Sequence, residues 1–538
     1  MGQIDAVDLS RFHHGTAWVT VGCCVAACVP AGLRWLRVAQ REHYLAGSVA
    51  RFAGRWWRST AANVSLAVAA LVAAVVSIRW PLAGVVVAAV VVAGPLGLSL
   101  RGRSASLVWT RRLIRLAVIW GLLEVVVVVA GAISGLASVL AVVAVLAVPL
   151  LVDAACAIAS PLEFSLSAHF IDDASDRLRR VAPKVVAVTG SYGKTSTKGH
   201  IAFLTRPDFT VMATPASFNN RAGLARAVNE QLADGTEVVV AEMGTYGPGE
   251  IADLCRWCPP DIAMITAIGP VHLERFGSED RIVEAKAEIL EPARDVVLPI
   301  DDPRLAALAD RAESQGKRVL RCSTTDRSAD ICVLSDHAAH QMTVLVHGTV
   351  VAEGVELPVG VQPLNLACAI GAALALGVDP GSVGDRLGKL PPVQHRLQAV
   401  RSDSGVVILD DTYNSNPAGA SAALRALALA RADGDPGSDH GGRPRRSVVV
   451  TPGMVELGER QFDENRRFGA AIASVASDLV VVGRTNREAL LEGAGSVVGS
   501  GLRIVVLPHR EEAVEWVRGQ MEPGDVVLYE NDLPDHYP

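Results

Sequence analysis

Between residues 189 and 196 the chain reads Thr-Gly-Ser-Tyr-Gly-Lys-Thr-Ser, directly after the Val-rich run KVVAVT and directly before a helical pattern. Glycines in a strand-to-helix turn let successive backbone N–H groups curl around a polyphosphate at the positive end of the helix. In such a loop Gly190, Ser191, Tyr192 and Gly193 form the cradle. Lys194 neutralises the β- and γ-phosphates, and the Thr195 hydroxyl, with Ser196 beside it, ligates Mg2+. The general Walker spacing would place glycine at 188, where this chain has Val188. Strand, loop, Lys-Thr pair and helix are all in order, so the chemistry indicated is ATP binding and phosphoryl transfer.

Other candidates follow along the chain. Glu242 ends the run TEVVVAEM, and carboxyl ends of parallel strands are where α/β sites form. His272 follows DIAMITAI, and Lys286 lies on a helical pattern beyond it. Taken singly, such a His or Lys is more often a solvated or satisfied side chain. Nine cysteines are scattered, and the Cys255–Cys258 pair lacks a second pair at zinc-ribbon spacing. Reduced structural thiols are expected.

These residues need sheets to hold them. KVVAVT (184–189), TEVVVAEM (236–243), DIAMITAI (261–268) and RDVVLPI (294–300) read as buried parallel strands separated by helices. A second series comprises GVVILDD, SVVVT (447–451), DLVVVG (478–483), RIVVLP (503–508) and DVVLYE (525–530). The alternation predicts two α/β domains, a P-loop ATPase domain over 184–392 and a Rossmann-like domain over 393–538. The boundary is set near LPPVQ (390–394), where two prolines end the preceding helix. The hydrophilic stretch 431–446 is expected as a surface loop or disordered insertion.

Ahead of these domains the composition changes. The 538 residues are 50% apolar and only 20% charged, and the apolar excess crowds the first 160. Five apolar runs, about 15–33, 61–78, 81–100, 116–133 and 135–159, predict a five-span α-helical membrane segment over 1–160, with 161–183 as a linker. Arg34, Arg37, Arg41, Arg51, Arg55 and Arg58 fill one inter-run stretch; Arg101, Arg103, Arg111, Arg112 and Arg115 fill another. The positive-inside rule makes both cytoplasmic, and an odd number of spans leaves the catalytic domains in the cytoplasm too. Asp5 and Asp8 argue against a signal peptide. Trp56-Trp57-Arg58 suits an interfacial anchor or a short surface helix, and Glu124 is a lone acid inside a run. A multi-pass protein of the cytoplasmic membrane is expected, with the lipid bilayer as a partner. The net charge of −6 argues against nucleic acid.

GSYGKTST, TPASFNN (214–220), AEMGTYGPGEIA (241–252), HLERFGS (272–278), EAKAEIL (284–290) and DDTYNSNP (410–417) together resemble the Mur ligases over about Lys184 to the C-terminus. The set is closest to the D-alanyl-D-alanine-adding branch. The resemblance implies an ADP-forming ligase that phosphorylates a carboxylate with ATP and lets an amine displace phosphate. It implies that Thr195 and Glu242 hold one Mg2+ and that His272 helps hold a second. Lys286 matches the lysine that the family carbamylates, which turns an ammonium into the anionic oxygen ligand Mg2+ prefers. Asn365 matches a residue reading adenine. Arg396 and Asp411 match residues reaching ATP from the C-terminal domain, with Tyr413 and Asn414 beside them. Asn219 and Asn220 match a pair near the phosphates and the acceptor. Lys194, His272, Lys286 and Arg396 would serve catalysis.

Departures from the pattern are specific. The apolar segment stands where the family has a UDP-binding domain. Leu364 replaces a histidine, the ending GDVVLYENDLPDHYP replaces a Lys-Gly-Ser type, and TPGMVELGERQFDEN (451–465) extends the branch's ELG element differently. No Asp-Asn-Pro-Arg stretch exists, which disfavours a diaminopimelate-adding member. Two enzyme readings stay open: D-Ala-D-Ala addition to a muramyl peptide, or a related amide ligase acting on a lipid-linked or polymeric carboxylate. A non-catalytic membrane scaffold is disfavoured by the intact Lys194, Thr195, Glu242, His272 and Lys286.

Overall fold

The computed structural model describes residues 4–100, 107–215, 218–336, 341–358, 360–391, 398–412, 416–432, 445–531, 533, 536 and 537, and the side chains of all of these except 4–14, 398 and 399. The chain forms two compact units, Met1–Leu166 with Leu533–Pro538, and Ser167–Asp532.

The first unit is helical: α1 (Ile4–Arg41), α2 (Ser48–Arg58), α3 (Ala61–Ser77), α4 (Ala83–Ala93), α5 (Arg111–Ser134) and the start of α6 (Ala137–Val181). Its polar groups end helices. Thr60 caps α3 by accepting from Asn63 N at 3.0 Å, and Thr110 caps α5 by accepting from Leu113 N at 3.2 Å. Asp153 accepts from Val49 N at 3.1 Å and Ala50 N at 2.8 Å, satisfying the N-terminus of α2. The Arg34 guanidinium donates to Val91 O, Val92 O and Gly94 O at the end of α4. Glu124, expected as a lone acid, accepts from Trp120 Nε1 at 3.0 Å. Trp56 and Phe52 lie on the buried face of α2, which is bent 110° from α3.

The span count needs correction. Among the described residues three helices, α1 from Gly15, α5 and α6, are long and apolar enough to cross a bilayer, or four if α2 and α3 count as one bent span. The run 81–100 forms a helix of only 11 residues, about 16 Å of rise against a hydrocarbon core of about 30 Å. It packs back on α3 as a hairpin.

The second unit holds two sheets. The first contains β1 (Lys184–Thr189), β2 (Val211–Ala213), β3 (Val238–Glu242), β4 (Ile262–Ile265), β5 (Asp295–Pro299), β6 (Arg318–Ser323), β7 (Ile331–Asp336), β8 (Gln341–Val346) and β9 (Thr349–Glu356). Their order is β2-β3-β1-β4-β5-β6-β7-β8-β9, parallel except where β8 and β9 join. β1 therefore lies between β3 and β4, a point where the winding reverses and a crevice opens at the carboxyl ends. Residues 161–183, expected as a linker, continue α6 without a break. Ile171, Ala174 and Leu178 are buried in the sheet's core, and Arg177 donates to Leu232 O at 2.7 Å. The periodicity of a packed helix overrides the linker reading.

The second sheet contains β10 (Gln398–Arg401), β11 (Val407–Asp411), β12 (Ser447–Thr451), β13 (Asp478–Val482), β14 (Arg503–Leu507) and β15 (Val526–Glu530). The order is β10-β11-β15-β12-β13-β14, with only β10 antiparallel. Most of the hydrophilic stretch 431–446 and the expected boundary at 392/393 lie outside the described residues.

Candidate active site

The crevice beside β1 is filled by its own loop. Gly190 has φ 151°, and a Cβ there would lie 2.0 Å from Thr266 Oγ1, just past β4. Ser191 N donates to Ala267 O at 2.8 Å, and Ser191 Oγ donates to Gly269 O at 3.1 Å. Thr266 Oγ1 in turn donates to Tyr192 O. Gly193 has φ 79° and starts the next helix, α7 (Lys194–Thr205); a Cβ there would lie 2.3 Å from Asn365 Oδ1. Only glycine fits either position. Asn365, expected against adenine, is 8% exposed and buttresses this loop.

Glu242 closes the other side. The register pairs Val188 with Glu242, so the acid emerges beside the loop. Its Oε2 accepts from Thr195 Oγ1 at 3.0 Å and from Lys198 Nζ at 2.9 Å; its Oε1 accepts from Asn219 Nδ2 at 3.2 Å. Burial would raise the Glu242 carboxyl, but the Lys198 charge and then Lys194 outweigh it and hold it below the usual carboxylate range. Lys194 Nζ donates to Gly190 O at 2.8 Å. Lys286 is 5% exposed, on the helix Glu279–Ala287. Burial, then the nearby Lys194 charge, push its ammonium well below the ordinary lysine range.

The donor set suits Mg2+. Two ligand oxygens adjacent on an octahedral ion at about 2.1 Å are separated by about 3 Å, the Thr195–Glu242 distance. Among the described residues no three His, Cys, Asp or Glu side chains converge as a metal cluster. Waters and phosphate oxygens would complete the shell, as Mg2+ prefers.

Other expected residues fall elsewhere. Asn220 caps the helix Arg221–Gln231 by accepting from Gly223 N at 2.9 Å, a structural role. His272 has φ 56°, and its Nδ1 pairs with Glu456, which also accepts from Arg275 Nη2 at 3.2 Å. The second sheet thus reaches the first through the ELG element. Asp411 ends β11 opposite Glu530. Burial pushes the Glu530 carboxyl up to about 8; its Oε2 accepts from Thr451 Oγ1 at 2.5 Å. Arg396, Tyr413 and Asn414 lie outside the described residues. Sequence reading missed Lys198 and Glu456. Lys198 is one turn from Thr195 on α7, a spacing that could have suggested it.

Gly190→Ala tests the loop. The strain and the clash with Thr266 should weaken ADP binding at least about tenfold, measured by calorimetry, with the circular dichroism spectrum unchanged. Unaltered ADP affinity would contradict the packing described.

Comparisons agree with this architecture. Residues 188–373 match the Mur ligase middle domain, and residues 395–529 match the Mur ligase, glutamate ligase domain. The UDP-N-acetylmuramoyl-tripeptide–D-alanyl-D-alanine ligase of Mycobacterium tuberculosis is 35% identical over 370 residues, covering 64% of this chain and 69% of that protein. The enzyme of the same name from Bacillus subtilis is 28% identical over 356 residues, covering 65% and 74%. The crystal structure of MurF ligase from Thermotoga maritima in complex with ADP superimposes with a TM-score of 0.55 at 26% identity, covering 68% of this chain and 80% of that one. The matched segments contain most of both sheets, the glycine loop and Glu242, and the chain belongs to the Mur ligase family.

Proposed function

We propose that the protein is an ATP-dependent, ADP-forming ligase that adds D-alanyl-D-alanine to a muramyl-peptide carboxylate in peptidoglycan precursor synthesis, working from the cytoplasmic membrane. The observation that carries this reading is the Thr195–Glu242 pair set against a glycine loop with Lys194, in a chain 35% identical to relatives named for that activity.

The mechanism follows from the residues. Backbone N–H groups of 192–195 and the Lys194 ammonium hold the phosphates, for which Lys194 must leave Gly190 O. Thr195 and Glu242 would hold Mg2+, which when bound neutralises phosphate charge and aligns the γ-phosphoryl group. The acceptor carboxylate oxygen attacks the γ-phosphorus, the bond to ADP breaks, and an acyl phosphate forms. The incoming amine then attacks the acyl carbon, loses a proton, and expels phosphate. Asn219, already on Glu242, lies where it can orient the acceptor. His272, its ring held at Nδ1 by Glu456, could offer Nε2 to a second ion, which would tie that site to the position of the second sheet. Lys286, buried and with its ammonium disfavoured by burial and by Lys194, suits carbamylation by CO2.

Exposed apolar side chains support a membrane setting. Leu122, Val126 and Ile133 on α5 are 60, 63 and 83% exposed, a face water would disfavour. With α3 and α4 as a re-entrant hairpin, both arginine-rich stretches stay on one side. Three spans, like five, leave the ligase unit cytoplasmic. A second reading, a lipid-linked or polymeric carboxylate as acceptor, is favoured by this helical unit standing where relatives have a nucleotide-recognising domain.

Purified protein with ATP and D-Ala-D-Ala should release phosphate when given either a UDP-linked or a lipid-linked muramyl tripeptide; the preferred acceptor separates the two readings. Turnover with neither acceptor removes both of these muramyl-peptide assignments. Lys286→Ala should lose at least 100-fold in turnover and recover partly with acetate, as expected if a carboxylate replaces the carbamate (about 2–3 kcal/mol of lost metal alignment). Absence of rescue would count against carbamylation. A reporter joined at Gly135 should be active only as an external reporter, and one at Leu107 only as a cytoplasmic one; the reverse pattern refutes the orientation.

A further inference from the structure

Lys198 sits one helical turn beyond Thr195, so both side chains point to the same side of α7. Its ammonium shares Glu242 Oε2 with the Thr195 hydroxyl, at 2.9 and 3.0 Å, and reaches Pro215 O at 3.4 Å. The two charged side chains are 6% and 3% exposed. Glu242 Oε1 is held separately by Asn219. The carboxylate is therefore matched by a resident cation in a region where water screens little.

That arrangement has a consequence for metal entry. A divalent ion arriving alone at Oε2 would meet an ammonium one hydrogen bond beyond its ligand, with Lys194 also nearby. A nucleotide polyphosphate brings several negative charges and cancels that repulsion. Resting on the reading of this site as one for ATP and Mg2+, we propose that Lys198 is a positioning residue. It keeps Glu242 aimed at Thr195 before the metal arrives and makes metal entry conditional on the nucleotide. The site then takes its divalent ion as a nucleotide complex and not as the free ion.

The test uses Mn2+ as the probe, followed by electron paramagnetic resonance on the full-length protein in detergent, with and without ADP. Three proteins are compared: wild type, Lys198→Gln, which keeps a donor and loses the charge, and Lys198→Arg, which keeps the charge. The wild type should bind Mn2+ alone at least about tenfold more weakly than with ADP present. Lys198→Gln should bind Mn2+ alone at least about tenfold more tightly than wild type, since a unit charge within reach of a divalent ion shifts affinity by at least that much. Lys198→Arg should remain like wild type.

A merely structural lysine would lower thermal stability in Lys198→Gln without changing the dependence of Mn2+ affinity on ADP. Unchanged Mn2+ affinity in folded Lys198→Gln overturns the proposal. So does a wild type that binds Mn2+ equally well with and without ADP, a result that needs no variant. A wild type that binds neither ADP nor Mn2+–ADP instead overturns the nucleotide-site reading itself.

Discussion

A carboxylate buried to 2% exposure at the end of a parallel strand is the constraint around which the ligase unit is arranged. An uncompensated charge in that position would cost several kcal/mol. Each partner of the Glu242 carboxylate oxygens is accordingly a donor. Thr195 and Lys198 come from α7, Asn219 comes from the segment after β2, and Glu242 N itself donates to Thr214 Oγ1 at 3.2 Å. The helix must begin at Lys194 for residues 195 and 198 to face this acid together. That start requires the turn at Gly193 and the close approach at Gly190. The geometry that satisfies a buried charge is the geometry that can receive phosphate and Mg2+.

The same logic of paired charges extends to the second sheet. Glu456, in a left-handed turn, pairs with His272 and Arg275. Arg460 and Arg304 both pair with Glu279, beside the start of the helix that carries Lys286. These partly exposed pairs contribute little stability. Their importance is geometric, because the pairs made by Glu456 and Arg460 connect residues 181 to 184 positions apart in sequence.

In the helical unit the constraint is satisfaction of backbone ends in apolar surroundings. Arg34 on three carbonyls, Asp153 on two N–H groups, and Asn63 between Trp56 O and Leu96 meet it with side chains from distant helices. The end of the chain joins this unit. Trp56 Nε1 donates to His536 O at 2.7 Å, His536 Nε2 lies 2.9 Å from Glu42 Oε1, and Phe52 meets the His536 ring edge-on at 4.8 Å. His536 and Tyr537 thus have packing partners in this unit, which the sequence did not suggest.

The Val-rich strands β1, β3, β4, β5 and β11 to β15, the glycine loop and Glu242 were legible in the amino-acid order, because buried parallel strands are continuous apolar runs and loops need glycine. Strands β6 to β9 were not, since Arg318 and Arg321 interrupt β6, Glu353 and Glu356 interrupt β9, and β7 and β8 carry the polar residues Ser335, Asp336, Gln341 and Thr343. The continuation of α6 into the ligase core was hidden for a similar reason: Ile171, Ala174 and Leu178 form a sparse stripe among acids and arginines. Apolar length suggested five spans, yet only folding revealed that 81–100 doubles back on α3. Sequence alone marked the residues available for chemistry, since residue type and local spacing define the glycine loop and its acid. Tertiary structure alone decided the partners: that Lys198 shares an oxygen with Thr195, that Asn220 is a cap, and that Glu456 holds His272. Such pairings depend on which strands are neighbours, and strand order is set by long-range packing that no local pattern encodes.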